Sequence, residues 1–210
     1  MRWIALLLFF FGLFSFNPEL KAQTQLGGDI DGELGFDHLG SSVSISADGT
    51  RIAAGAPDNN MSTGYTKIYE WNGTNWVQLG GNIIGEAAFN WSGSSVALNA
   101  NGSRVAIGAN GDDENGNNSG HVRIYEWNGS TWVQLGSDID GEAAEDESGR
   151  SVSISSTGDR VAIGAYGNSD NGSFSGHVRI YEWNGTTWIQ MGSDIDGETA
   201  IDLSGLSVAL

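Results

Sequence analysis

The chain has 210 residues, with 9 Lys and Arg against 26 Asp and Glu for a formal charge of −17, 32 glycines and no cysteine. That negative field repels a phosphate backbone and excludes nucleic acid as an expected partner. The lack of cysteine excludes disulfides and a lipid-modified cysteine anchor, so stability must come from packing, backbone pairing or bound ions.

In chain order, residues 1–22 stand apart. Met1-Arg2 is a short positive start, Trp3 to Phe16 is almost unbroken Leu, Phe and Ile, and "NPELKA" ends at Ala22. Charged, apolar and small-residue regions in that order predict a cleaved secretory signal. As a helix the 14 residues from Trp3 to Phe16 would reach only about 21 Å, short of a hydrocarbon core of about 30 Å. Without this segment 7 basic and 25 acidic residues remain, a charge of −18. No membrane span is expected after signal cleavage, and the predicted location is secreted or cell surface.

Residues 23–210 read as one repeat domain. "GHVRIYEWNGSTWVQLG" at 120–136 returns as "GHVRIYEWNGTTWIQMG" at 176–192 with three of seventeen positions changed, and "GYTKIYEWNGTNWVQLG" stands at 64–80. Starts at Gln25, Gln78, Gln134 and Gln190 give spacings of 53, 56 and 56. A fixed period of this size signals a repeat architecture. The second period offers four strand candidates, 94–99, 104–109, 121–127 and 131–136, and no stretch shows helical apolar spacing. Asn128-Gly129 predicts a two-residue type I′ hairpin, placing Tyr125 opposite Trp132 and Ile124 opposite Val133. The same arithmetic pairs Tyr181 with Trp188 and Tyr69 with Trp76. In "RVAIGA" (104–109), Val105 and Ile107 alternate with Ala106 and Gly108. A sheet with one bulky and one small face can stack on copies of itself, as propeller blades do. The expected fold is all-β: propeller blades of four antiparallel strands with a period of about 56 residues. Three full repeats with partial ones at each end predict an open, incomplete arc, ending in "GLSVAL" (205–210) as a lone first strand.

"DHLGSSVSISADGTRIAAGAP" (37–57) followed by "GYTKIYEWNG" (64–73) resembles the FG-GAP repeat, which builds the propeller heads of integrin α subunits and of many secreted bacterial proteins. Leu39-Gly40 stands for Phe-Gly, and Gly55-Ala56-Pro57 is intact, whereas later copies read Gly108-Ala109-Asn110 and Gly164-Ala165-Tyr166. The resemblance implies the fold; propellers host many unrelated activities. The family's Asp-x-Asp-x-Asp-Gly calcium loop has no counterpart here, the nearest segment being "DENGNNSG" from Asp113.

Candidate chemistry lies in the repeated acids and in the loops that break the repeat. "DIDGE" supplies Asp138, Asp140 and Glu142, then Asp194, Asp196 and Glu198. Residues two apart in an extended segment point the same way, so each set could offer carboxylates to calcium. The long loops vary between copies, which is where repeat proteins bind ligands. Trp91 has no equivalent in the other repeats, Asp112 and Asp113 lie in one loop, and Tyr166 and Phe174 lie in the next; these five are the expected ligand contacts. Trp71, Trp127 and Trp183, with Trp76, Trp132 and Trp188, recur in register and read as packing. Arg51, Arg104 and Arg160 read as blade-edge ion pairs. With no catalytic constellation visible, the expected function is a non-enzymatic, exported domain that presents loops to an extracellular protein or glycan. The alternative is the propeller portion of a larger secreted hydrolase or lyase acting on carbohydrate.

Overall fold

The computed structural model describes residues 24–210; the segment expected to be a signal, residues 1–22, lies outside them. The first sheet contains β1 (Ser42–Ile45), β2 (Arg51–Ala56), β3 (Tyr65–Trp71), β4 (Trp76–Gln78) and β5 (Ile83–Ile84). The second contains β6 (Ser95–Leu98), β7 (Arg104–Ala109), β8 (His121–Trp127), β9 (Trp132–Gln134) and β10 (Ile139–Asp140). The third contains β11 (Ser151–Ile154), β12 (Arg160–Ala165), β13 (His177–Trp183), β14 (Trp188–Gln190) and β15 (Ile195–Asp196). All pairings between these strands are antiparallel. Among the described residues the one helical element, α1 (Asn59–Ser62), is a single turn with Asn60 and Met61 at positive φ.

Each blade therefore carries a fifth, two-residue strand beyond the four expected. It lies in the acidic segment: Ile139 pairs with Val122 and Asp140 with His121. The sequence signal was weak because only two residues pair, and Ile139 is the single apolar side chain that anchors them.

The hairpin register also differs from expectation. Trp127 faces Trp132 and Tyr125 faces Gln134, and the same shift brings Trp183 onto Trp188 and Trp71 onto Trp76. The loop has four residues rather than two. Asn128 Oδ1 accepts the backbone N–H groups of Ser130 and Thr131, and the Asn128 N–H donates to the Thr131 carbonyl. The asparagine side chain thus closes an Asx turn, which outcompetes the tighter turn. Because the register moved by two positions, the face assignment survives: Tyr125 and Trp132 share one side, Val122 and Ile124 the other.

Stacking follows the bulky-on-small rule. Val96, Leu98, Val105, Ile107, Tyr125 and Trp132 of the second sheet pack on Ala53, Ile68 and Ile83 of the first. The second sheet's other side, with Ala106, Val122, Ile124 and Ile139, receives Ile154, Val161, Ile163 and Trp188 of the third. The paired tryptophans lie 5.3–5.4 Å apart between ring centroids. Trp132 Nε1 donates to the Leu79 carbonyl and Trp188 Nε1 to the Leu135 carbonyl, each at 2.8 Å across the blade junction. Arg51, Arg104 and Arg160 pair with Glu70, Glu126 and Glu182 at 2.8–2.9 Å, as the repeat suggested.

The described residues form an open arc of three blades, since the first and third sheets do not pack on each other. Val43 and Ile45 on the outer side of the first blade are 66% and 58% exposed. At the other end, residues 205–210 make no strand, yet Leu210 N–H donates to Ser153 Oγ as Leu98 N–H donates to Ser44 Oγ. The tail thus lies along the third blade as β6 lies along the first.

Consecutive blades approach each other closely at Gly55, Gly108 and Gly164. An added Cβ at Gly108 would collide with the Gly149 carbonyl, while at Gly129 it would meet nothing and only the φ of +98° resists a side chain. Gly108→Ala should destabilise the chain by about 2–3 kcal/mol, against about 1–2 kcal/mol for Gly129→Ala. Urea denaturation of the two variants checks the order.

Where residues 24–41 meet the first blade, Asp37 accepts the Tyr65 hydroxyl at 2.7 Å and the N–H groups of Glu33, Leu34 and Leu39. Burial alone would raise its carboxyl, but these donors hold it at about 2, below the ordinary 3.8. A depressed carboxylate stabilises the fold above its ordinary value and loses that contribution as pH falls toward 2. Asp37→Asn should therefore cost about 2 kcal/mol at pH 7, and its deficit against wild type should shrink between pH 4 and pH 2 in thermal melts.

Candidate functional site at the loop face

The candidate residues gather at one end of the sheets, opposite the Asn-Gly hairpins. That end holds the loops leaving β2, β7 and β12 and the segments entering β6 and β11. A cleft of about 300 Å³ there is lined by Pro57 and Asp58 from the first blade, Trp91, Ser94 and Asn110 from the second, and Glu147, Arg150 and Tyr166 from the third. Trp91 and Tyr166, which the sequence singled out separately, thus share one cleft. The Tyr166 hydroxyl donates to Glu147 Oε1 at 2.8 Å and the Asn110 amide to Glu147 Oε2 at 3.0 Å. Burial, reinforced by the hydrogen bond to Glu147, raises the Tyr166 phenol above its ordinary value, so it stays a neutral donor.

The backbone under this face is held in unusual geometry. Trp91 and Glu147 have φ of 52° and 51°, a region that bulky side chains rarely adopt. Trp91 N–H bonds to the Ser62 carbonyl and Glu147 N–H to the Asn118 carbonyl, so each connector is clasped to the loop of the preceding blade. Such strain persists only where the surroundings over-determine it.

The remaining expected contacts divide differently. Phe174 is exposed and lies outside that cleft. Asp113 is exposed and accepts the Asn118 N–H. Asp112 is buried and accepts the side-chain amide of Asn90 and the Glu114 N–H. Both aspartates border an acidic cleft of about 390 Å³ with Glu86 and Glu114. In the third blade the same buried pair is reversed, with Asn168 donating to Asp146 at 3.3 Å.

The six acids expected to hold calcium do not assemble as written. Asp138 and Asp140 point the same way and meet Glu114, while Glu142 is drawn off to Arg179 at 3.3 Å. Asp194 approaches His177 and Glu142, whereas Asp196 and Glu198 stand exposed. Burial, and then the charges of Glu114 and Asp138, raise the Asp140 carboxyl. Sequence reasoning read His121 and His177 as scattered; both are fully buried beside these acids. The signal was there in the joint replacement of Tyr65 by histidine and Asn82 by aspartate in the second and third copies.

The FG-GAP repeat matches residues 138–181, which run from the short fifth strand of the second blade to the third strand of the next. No curated protein matches the sequence. Among solved structures, a candidate 6-phosphogluconolactonase from Bacteroides uniformis is 14% identical, with a TM-score of 0.49, over 75% of this chain and 41% of its own. Hydrazine synthase from Kuenenia stuttgartiensis is 12% identical, with a TM-score of 0.47, over 82% and 42%. Sqt1 from Saccharomyces cerevisiae is 13% identical, with a TM-score of 0.47, over 77% and 37%. The chain thus spans about two fifths of these proteins, and the propeller assignment rests on its own sheets and the repeat match.

The reversed Asn90–Asp112 and Asp146–Asn168 pairs yield a test. Asn90→Asp should set two buried carboxylates together and lower stability by about 3 kcal/mol. Adding Asp112→Asn should restore most of it, a coupling that a double-mutant cycle by thermal denaturation would measure.

Proposed function

Taking the FG-GAP repeat match and the stacked blades as premise, we propose that this chain is an exported, non-enzymatic binding domain whose loop face engages an extracellular protein or glycan. The observation that carries this reading is the meeting of Trp91 and Tyr166 in one cleft. The positions equivalent to Trp91 in the other copies are His38, Glu147 and Leu203, and those equivalent to Tyr166 are Pro57 and Asn110. Residues that depart from a repeat and converge in space from two blades have no shared packing role to explain them. Their chemistry suits recognition: an indole and a phenol give rigid apolar surface with polar edges, and Arg150, Glu147 and Asp58 add charge at the rim. Secretion is supported by the predicted signal at residues 1–22, and a location at the cell surface agrees with the adhesive uses of the family.

The untagged mature chain on glycan and matrix-protein arrays tests the reading. Trp91→Ala should weaken binding to any ligand found by tenfold or more, about 1.4 kcal/mol, with an unchanged melting profile. Retention of full affinity in both Trp91→Ala and Tyr166→Ala would move the binding surface elsewhere.

A further inference from the structure

We propose that the two junctions between consecutive blades each bind a divalent metal ion of the zinc type, held by Glu86, His121 and Asp138 at the first and by Glu142, His177 and Asp194 at the second. In each set the candidate ligand atoms lie within 4.8 Å of one another. Both imidazoles are 0% exposed, and neither ring nitrogen of either has a hydrogen-bond partner. Leaving a buried polar group without a partner is costly, so each histidine calls for a ligand.

The spacings suit a metal better than a hydrogen bond. His121 Nδ1 lies 3.4 Å from Asp112 Oδ1 and 4.0 Å from Asp138 Oδ2, and His177 Nδ1 lies 3.6 Å from Asp194 Oδ2. Two ligands at about 2.1 Å from a tetrahedral ion stand about 3.4 Å apart. The aspartates are already oriented: Gln134 and Gln190 donate to the Oδ1 atoms of Asp138 and Asp194 at 2.5 Å, leaving Oδ2 toward the imidazole. Such supporting bonds are the usual means of aiming a metal ligand. Glu86 and Glu142 each give one oxygen to Arg123 or Arg179, at 3.1 and 3.3 Å, and keep a second for the ion.

The first blade supplies the control. The same three positions there are Glu33, Tyr65 and Asn82, and they close without an ion: Asn82 donates to Glu33 Oε1 at 2.9 Å, and the Tyr65 hydroxyl bonds to Asp37. Exchange of tyrosine for histidine and asparagine for aspartate, together and in both later copies, converts a hydrogen-bonded junction into a ligand set. An imidazole in the set selects a zinc-type ion over calcium, which takes oxygen ligands. In a chain without cysteine, the ion would tie each connector to the blade that follows.

The test uses the untagged mature chain after chelator treatment, titrated calorimetrically with ZnCl₂ and, separately, CaCl₂, with thermal melts alongside. We expect two Zn²⁺ per chain and, at a free concentration near 100 times Kd, a rise in Tm of about 5 °C or more. His121→Gln should remove one site and His121→Gln/His177→Gln both, while His38→Gln keeps two. If the buried variants fail to fold, NMR of the wild-type imidazoles gives the answer directly, since Zn²⁺ should shift two histidines and leave His38 alone. Failure of Zn²⁺ to bind the folded wild type, or a calcium effect equal to that of zinc, would overturn the proposal. So would zinc binding that persists in the double variant.

Discussion

The architecture depends on how closely one blade can approach the backbone of the next. At the inner strands the contact is almost bare main chain: Gly55, Gly108 and Gly164 lie against the carbonyls of Gly93, Gly149 and Gly205. The same carbonyls accept the hydroxyls of Ser42, Ser95 and Ser151 at 2.7–2.8 Å. With no side chain between them, the sheets come near enough for Val, Ile and Trp of one face to fill the shallow Ala and Gly face of the next. Farther out, the tryptophan pairs fill the wider gap, and Trp132 and Trp188 each donate an indole N–H to the neighbouring blade. Glycine inside and tryptophan outside therefore follow from one geometric requirement, that sheets fanned around an axis diverge with radius.

That requirement also shapes the loop face. Because the inner strands are locked together, the segments entering β6 and β11 have little freedom, and their positive-φ residues are held by hydrogen bonds to the preceding blade. Trp91 and Glu147 occupy equivalent places on these connectors. Whatever side chain stands there projects into the same cleft, so the repeat can vary its surface chemistry without altering its frame.

Much of this was legible in the sequence, because alternation and period report directly on sheet faces and stacking. Val105 and Ile107 against Ala106 and Gly108 announced the two faces, and the recurrent tryptophans announced their packing role. The hairpin register was misjudged because Asn-Gly serves both a two-residue turn and the first half of a four-residue Asx turn. Only the side-chain bonds from Asn128 decide between them. The histidines read as scattered rather than as a cluster for another reason. Their significance lies in atoms brought together from residues 86, 121 and 138, and no local pattern joins positions so far apart.

The reversed Asn90–Asp112 and Asp146–Asn168 pairs bear on how blades could be exchanged. A segment cut at the recurring Gln-Leu-Gly, from 78 to 133, keeps Asn90 with Asp112 but severs His121 from Asp138. A segment cut just after the short fifth strand, from 85 to 140, keeps Glu86, Asn90, Asp112, His121, Arg123 and Asp138 on one piece. The natural module for recombination, or for grafting a blade into another propeller, is thus offset from the visible sequence period. Many of the polar contacts that cross its boundary end on main-chain carbonyls, as with the Trp132 indole on Leu79, the Arg123 guanidinium on Ile84 and the Ser42 hydroxyl on Gly93. A transplanted unit of this kind carries those buried polar partners with it and leaves the loop-face bonds, such as Asn110 to Glu147, to be remade with its new neighbour.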